Sequence, residues 1–298
     1  MTRTVVLVNP AAGRGRGARL FPRVSAAFNS VGVSDVRRTR AAGEEHRDVQ
    51  DALQQGADTL VIVGGDGTWS KCAAAVAEAR ASVAMAFVDG GTGNDFAKNL
   101  PAPSRNPEAM ARLVTGAHTV WNADMGRVEH EGGGDWFLNV AGFGFDVAVL
   151  EDIVRGGRLT GPSVYIVAAL RQLLRYPGLT FSDAAPARRA MMLVLSNGMN
   201  FGGAFRIAPT AQITDGLLDA VEIGDIRGLA RIPLFARALR GAHVRHPLVR
   251  STRASEFAFT FDHAPSYEID GEWRQSASRE VQVRCVPQLL RVICSPAP

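Results

Sequence analysis

Gly64-Gly65-Asp66-Gly67-Thr68 is the stretch best equipped for chemistry, and it ends the β-branched run Leu60-Val61-Ile62-Val63. Such a run reads as a buried parallel strand. The glycines allow a sharp turn that brings backbone N–H groups close to a bound anion. Thr68 adds a hydroxyl, and a helix expected over residues 70–80 would aim its N-terminus at the same point. These are the parts of a phosphate cradle. A carboxylate inside it repels phosphate unless a cation lies between them, so Asp66 points to a nucleotide–Mg²⁺ site.

The loop Asn9-Pro10-Ala11-Ala12-Gly13-Arg14-Gly15-Arg16-Gly17 follows a strand at Thr4–Val8, and Asp89-Gly90-Gly91-Thr92-Gly93-Asn94-Asp95 follows one at 83–88. Helices are expected at 20–31, 43–55 and 107–115, with a short strand at 35–39. Strands alternating with helices imply a parallel sheet covered on both faces, with ligands beyond the carboxyl ends of its strands. All three glycine loops fall on that edge.

Near residue 125 the pattern changes. Strands near 119–130 and 135–141 are joined by Glu131-Gly132-Gly133-Gly134, a hairpin signal. Further extended runs lie at 190–197, 217–223, 255–262, 266–270, 280–286 and 289–294, with helices near 146–155, 163–176 and 228–240. The expected fold class is α/β in two domains: a Rossmann-like α/β domain at 1–125 and a β-rich, antiparallel sandwich domain at 126–298.

The 298 residues are 46% hydrophobic and 21% charged with a net charge of +4, enough to bury ordinary cores and mildly suited to anionic partners. Lys71 and Lys98 are the only lysines, so arginine carries nearly all the positive charge. The three cysteines, Cys72, Cys285 and Cys294, lack metal-ligand spacing, which implies a reducing compartment. No apolar run reaches membrane-spanning length. A soluble cytoplasmic protein with no nucleic-acid partner is expected.

Taken together, the motifs resemble a known family, the diacylglycerol kinase catalytic superfamily, in its small soluble bacterial lipid kinases. The resemblance rests on Val8-Asn9-Pro10-Ala11-Ala12-Gly13, Gly64-Gly65-Asp66-Gly67-Thr68, Gly91-Thr92-Gly93-Asn94-Asp95-Phe96-Ala97, Asn139-Val140-Ala141-Gly142-Phe143-Gly144-Phe145-Asp146, Asn197-Gly198, Ala208-Pro209, Thr214-Asp215-Gly216-Leu217-Leu218-Asp219 and Asp270-Gly271-Glu272. It implies a first domain akin to NAD kinase and phosphofructokinase, and a β-rich second domain whose last strand, about 289–293, returns to the first. ATP and lipid would meet in the cleft between them.

The resemblance puts the ATP phosphates on Gly64, Gly65, Asp66, Gly67, Thr68, Trp69 and Ser70 and on the loop Asn9, Pro10, Ala11, Ala12 and Gly13. Thr39, Thr92 and Asn94 fall at nucleotide-contacting positions. Asp66, Asp95 and Asp124 match acids that hold the catalytic Mg²⁺ through waters. Glu272 matches the acceptor of the lipid hydroxyl proton, with Asp270 as a nearby alternative. Gln212, Asp215 and Leu217 match a second, structural Mg²⁺ site. The family usually continues its cradle as Gly-Thr-aliphatic-Asn-Glu, whereas this chain reads Gly67-Thr68-Trp69-Ser70-Lys71, inverting one charge.

The implied reaction is phosphorylation of a lipid hydroxyl, with diacylglycerol the default acceptor and transient contact with the inner membrane face. Homodimer formation stays open. An NAD kinase-like phosphotransferase and a non-catalytic nucleotide- or lipid-binding regulator are the alternatives. Phe143, Phe145 and the 164–174 stripe could line a lipid pocket but are more often core at such spacing. Arg155, Arg158, Arg171 and Arg175 could meet headgroups but more often mark a solvated face, as do His243 and His246.

Overall fold

The computed structural model describes residues 2–40, 43–156, 172–173, 176–183 and 186–296. The chain forms two compact units: Met1–Met125 with Ile213–Asp215 and Pro287–Pro298, and Gly126–Gln212 with Gly216–Val286.

In the first unit, β1 (Thr4–Val8), β2 (Val36–Arg38), β3 (Thr59–Gly64) and β4 (Ala84–Asp89) run parallel in the order β4-β3-β1-β2. Val6 lies beside both Val36 and Val61, and Val61 beside Ala86. Every residue of β3 and β4 is buried, which is why both read as unbroken apolar runs rather than alternating ones. Helices α1 (Ala12–Asn29) and α4 (Pro107–Thr115) bring Val24, Phe28, Met110 and Ala111 onto Val6, Val8, Val61, Val63, Ala86 and Val88. The N-terminus of α4 is closed by Asn106, whose side chain accepts the Ala109 N–H at 3.0 Å. Helices α2 (Glu45–Gln54) and α3 (Asp66–Glu78) pack against each other. Trp69 of α3 meets Phe87 of β4 with ring centroids 5.4 Å apart.

The second unit is antiparallel. After β5 (Thr119–His130) come β6 (Gly133–Phe137), β7 (Val140–Gly144), β8 (Leu179–Ser182), β9 (Arg188–Ser196), β10 (Leu218–Gly224), β11 (Val249–Ala254), β12 (Glu256–Phe261), β13 (Ser266–Ile269), β14 (Glu272–Gln275) and β15 (Glu280–Cys294). The neighbour order β14-β13-β7-β9-β8-β12 has Ile269 beside Ala141 and Ala141 beside Leu195. Phe143, Phe181, Phe259, Phe261 and Tyr267 centre one core, and Phe145, Met191, Val194, Ile223 and Leu234 another. Helices α5 (Phe145–Gly156) and α6 (Arg231–Ala238) belong to the same unit.

The expected strand at 135–141 is two strands, and β8, β11 and β14 were not anticipated. The runs at 280–286 and 289–294 are one strand. Its first part pairs antiparallel with β12 (Val283 beside Phe257), and its last part pairs parallel with β4 (Arg291 beside Ala84). Helix 228–240 is a 3-10 turn, Gly228–Ala230, followed by α6. Most of the expected helix at 163–176, with Arg158, Arg171 and Arg175, lies outside the described residues, as does the Arg155 side chain. Phe143 and Phe145 are core. Among the described residues no helix is long and apolar enough to cross a membrane.

Candidate active site

The three glycine loops of the first unit touch one another. Asn9 is buried; its Oδ1 accepts the Ala11 N–H at 2.9 Å and its Nδ2 donates to Thr68 Oγ1 at 2.8 Å, stitching the first loop to the second. The same amide lies 3.4 Å from the buried Glu45 carboxylate. Gly90 and Gly91 both donate their N–H to the Gly64 carbonyl, at 2.6 and 3.0 Å, joining the second loop to the third. A β-carbon on Gly65 would sit 2.8 Å from the Gly91 Cα, and one on Gly13 would run into the Gly90 carbonyl. Glycine is required here by close approach of backbone to backbone.

The second loop is shorter than expected, because α3 begins at Asp66 rather than near residue 70. Gly65 is extended (φ −111°, ψ −175°) and makes the whole turn between β3 and α3. Asp66, Gly67 and Thr68 therefore form the first helical turn, where the helix dipole favours a negative group. Asp66 Oδ1 accepts the N–H groups of Asp95 (2.6 Å) and Phe96 (3.3 Å), so its charge is partly met by protein amides. Asp95 itself is buried and paired with Lys98 at 2.6 Å.

Other expected nucleotide contacts serve the loops themselves. Asn94 takes a left-handed conformation (φ 51°), accepts the Gly91 N–H at 3.1 Å and donates to the Gly91 carbonyl at 3.2 Å. The Trp69 side chain is fully buried in the core against Phe87 and does not line the turn, because α3 starts three residues before it and rotates it onto the sheet. Thr39 and Ser70 are buried, Thr92 is exposed, and Pro10, Ala11, Ala12, Gly13 and Gly67 are at least partly accessible. Lys71 is half-buried.

Asp124 is fully buried and accepts the Gln288 N–H at 2.8 Å, while its own N–H donates to the Ile213 carbonyl at 2.7 Å. It thus fastens β5 to the last strand within the first unit. Of the second expected metal set, Asp215 belongs to the first unit, and Gln212 and Leu217 to the second. Among the described residues, no three His, Cys, Asp or Glu side chains are grouped to ligate a metal directly. Asp66 and Asp95 are nonetheless neighbours and both acidic, a donor set that suits a hydrated Mg²⁺ held through its waters. Asp124 is enclosed and, like Asp66, engaged with a backbone amide.

In the second unit, Asp270 and Glu272 part ways. The Asp270 carboxylate accepts three backbone N–H groups, from Leu138 (2.7 Å), Asn139 (2.9 Å) and Val140 (3.0 Å), and its residue is left-handed with φ 47°. Its carboxylate oxygens hold the start of β7. Glu272 opens β14, and its Oε2 accepts Arg274 Nη2 at 2.9 Å. Arg274 Nε lies 3.3 Å from Asp135 Oδ1, and Asp135 Oδ2 accepts the Tyr267 hydroxyl. Burial works against the Arg274 charge, but Glu272 and Asp135 raise its pKa on balance. Arg274, Asp135 and Tyr267 escaped the sequence reading; the available signal was that Glu272 and Arg274, two apart on a strand, share a face.

Glycine loops at the carboxyl edge of a parallel sheet, followed by a β-rich unit bearing an ionisable turn, define a nucleotide-dependent phosphotransferase. The comparisons narrow the class. A family model described as diacylglycerol kinase catalytic domain matches residues 3–128, and one described as YegS C-terminal NAD kinase beta sandwich-like domain matches 139–294. The chain belongs to the diacylglycerol kinase catalytic-domain family of lipid kinases. Among its relatives is the diacylglycerol kinase of Mycobacterium tuberculosis (strain ATCC 25618 / H37Rv), 27% identical over 298 residues that cover 98% of this chain and 94% of that one. The protein named "Probable lipid kinase YegS-like" of Xanthomonas euvesicatoria pv. vesicatoria is 30% identical over 269 residues, covering 87% and 85%. The crystal structure of a diacylglycerol kinase from Bacillus anthracis str. Sterne aligns over 99% of this chain and 97% of that one, with a TM-score of 0.74 and 20% identity, a likeness of fold.

Proposed function

We propose that this lipid kinase transfers the γ-phosphate of ATP to the hydroxyl of diacylglycerol, giving phosphatidic acid. The observation that carries the reading is the mutual contact of the three glycine loops, which gathers backbone N–H groups and the N-terminus of α3 at one sheet edge. ATP phosphates bind to Gly64, Gly65, Gly67, Thr68 and the 9–13 loop. Glu272 accepts the proton as the lipid oxygen attacks the γ-phosphorus, and the bond to the β-phosphate oxygen breaks to release ADP. A Mg²⁺ ion bound with the nucleotide would be held by Asp66 and Asp95 and would supply positive charge against the phosphate oxygens. Arg274 keeps the Glu272 carboxylate in one orientation.

The test supplies γ-labelled ATP with a panel of dispersed lipids, then with NAD and sugar phosphates. Label in phosphatidic acid supports the reading. Label in another lipid replaces the acceptor but keeps the class, whereas label confined to NADP or a sugar bisphosphate sinks the proposal.

A further inference from the structure

The exposed apolar side chains of the second unit are concentrated. Among the described residues six large hydrophobics stand exposed, and four of them fall between residues 229 and 248: Leu229 (69%), Ile232 (46%), Leu239 (48%) and Leu248 (52%). Leu229, Ile232, Ala236 and Leu239 recur at helical spacing, so they form one stripe along the 3-10 turn and α6. The opposite side of α6 is the buried one, through Arg231, Leu234 and Ala238. The helix therefore has a core face and a second apolar face that none of the described residues covers.

The segment that carries this stripe has charge of one sign, although Glu222 of β10 stands across the ladder from its Arg250. From Ile226 to Ser255 the chain holds no Asp or Glu. Arg227 pairs with Asp225 and Arg253 with Asp219, and the buried Arg231 donates to the carbonyls of Ile226, Leu173 and Tyr176. Arg237, Arg240, Arg245 and Arg250 are exposed, with no ion pair among the described residues. Apolar side chains rimmed by unpaired arginines fit a surface that is apolar beneath and anionic above. A second copy of the same face would set arginine against arginine across a two-fold axis, which disfavours self-association.

We propose that the 229–250 face docks on an anionic lipid bilayer, with Leu229, Ile232 and Leu239 entering the headgroup zone and Arg237, Arg240, Arg245 and Arg250 meeting the lipid phosphates. The choice of a bilayer as the occupant rests on the lipid-kinase reading; the surface itself does not. Docking here would tether the enzyme where its acceptor resides, independently of the acceptor site.

The full chain is floated with vesicles of phosphatidylcholine alone and of phosphatidylcholine with about a third phosphatidylglycerol, the latter fraction chosen to give the surface potential that polybasic segments sense. Two variants accompany it: Leu229→Ser with Ile232→Ser and Leu239→Ser, and Arg237→Gln with Arg240→Gln, Arg245→Gln and Arg250→Gln. Wild type should prefer the anionic vesicles and lose them at high salt. The arginine variant should lose about a hundredfold or more in partition to anionic vesicles. The serine variant should bind both vesicle types more weakly. ATP affinity and turnover of a short-chain, water-dispersed diacylglycerol should stay at wild-type level, which also shows that the variants fold. Unchanged vesicle binding in both variants overturns the proposal. So does light scattering that finds a wild-type dimer converted to monomer by the serine variant. Wild type that binds vesicles through this face yet phosphorylates no lipid upholds the docking face and sinks the kinase reading instead.

Discussion

Glu272 is held by a chain of side chains rather than by its strand alone: Arg274 donates to it at 2.9 Å, Asp135 faces Arg274 at 3.3 Å, and Tyr267 donates to Asp135. A base must stand within hydrogen-bond reach of the proton it takes, and a carboxylate that swings away loses rate without losing nucleotide affinity. Glu272→Gln should therefore lower kcat by about 10²–10⁴-fold while ATP binding, read by calorimetry, stays unchanged. Arg274→Ala should lower kcat by roughly tenfold at constant ATP affinity, with partial recovery in Arg274→Lys, since a lysine restores charge but not the planar fork. Equal losses for alanine and lysine would argue against positioning. Beyond the Glu272–Arg274 pair, none of this network is local in sequence. Asp135 and Arg274 are joined only when β6, β13 and β14 assemble, so the turn was legible and its support was not.

A second residue-scale consequence concerns Asp146. It is buried under Gly142, where an added β-carbon would collide with Asp146 Oδ2, and among the described residues neither of its carboxylate oxygens makes a well-formed hydrogen bond. Burial pushes its pKa up to about 7, against the lowering effect of the Val147 and Asp146 amides. The folded state thus binds a proton that the unfolded state releases near the ordinary aspartate pKa, about 3.9. Stability should fall as pH rises from about 4 to 7, because the unfolded chain binds fewer protons across that window. Asp146→Asn removes the titration, so its thermal stability should exceed wild type at pH 8 and converge with it near pH 4. Melting curves across that range check the sign; a wild-type advantage at pH 8 refutes it.

At the scale of elements, the glycine loops were the most legible part of the chain, because strand, glycine and helix signals lie within a few residues of one another. The start of α3 was less so: Gly67 is a poor helix former, and only the extended Gly65 shows that the helix begins at Asp66. β11 was invisible because Val249–Ala254 has no apolar alternation; four of its six residues are exposed, and its place is set by backbone pairing with β10. The same contrast yields a prediction. A β-carbon on Gly91 would overlap the Gly65 Cα, a clash between backbones that no rotamer relieves. Gly91→Ala should cost about 1–3 kcal/mol of stability and abolish ATP binding, by denaturant unfolding and calorimetry. Thr92→Ala, at the exposed neighbouring position, should change stability by about 0.5 kcal/mol or less.

At the scale of the whole molecule, the first unit is not contiguous in sequence. Its sheet is built from residues 4–89, yet Arg291 and Val292 of the last strand add beside Ala84 and Met85 on the edge of β4, and Ile293 joins the core with Val61, Val63 and Met110. Leu290, Val292 and Ile293 are essentially fully buried. At about 1.5–3 kcal/mol for each such side chain, their removal withdraws roughly 5–9 kcal/mol, comparable to the whole stability of an ordinary domain. It would also leave the apolar Ala84–Val88 stretch of β4 as an unpaired edge. Deleting Pro287–Pro298 should therefore yield chain that is insoluble or melts at least about 10 °C below wild type, on the usual scale of about 2–4 °C per kcal/mol for chains of this size. The cradle residues would be retained in sequence but ATP binding lost. Circular dichroism melts and size-exclusion profiles decide the matter. A shortened chain that stays soluble and melts within a few degrees of wild type would show that the final strand is an ornament of the first unit rather than part of its core.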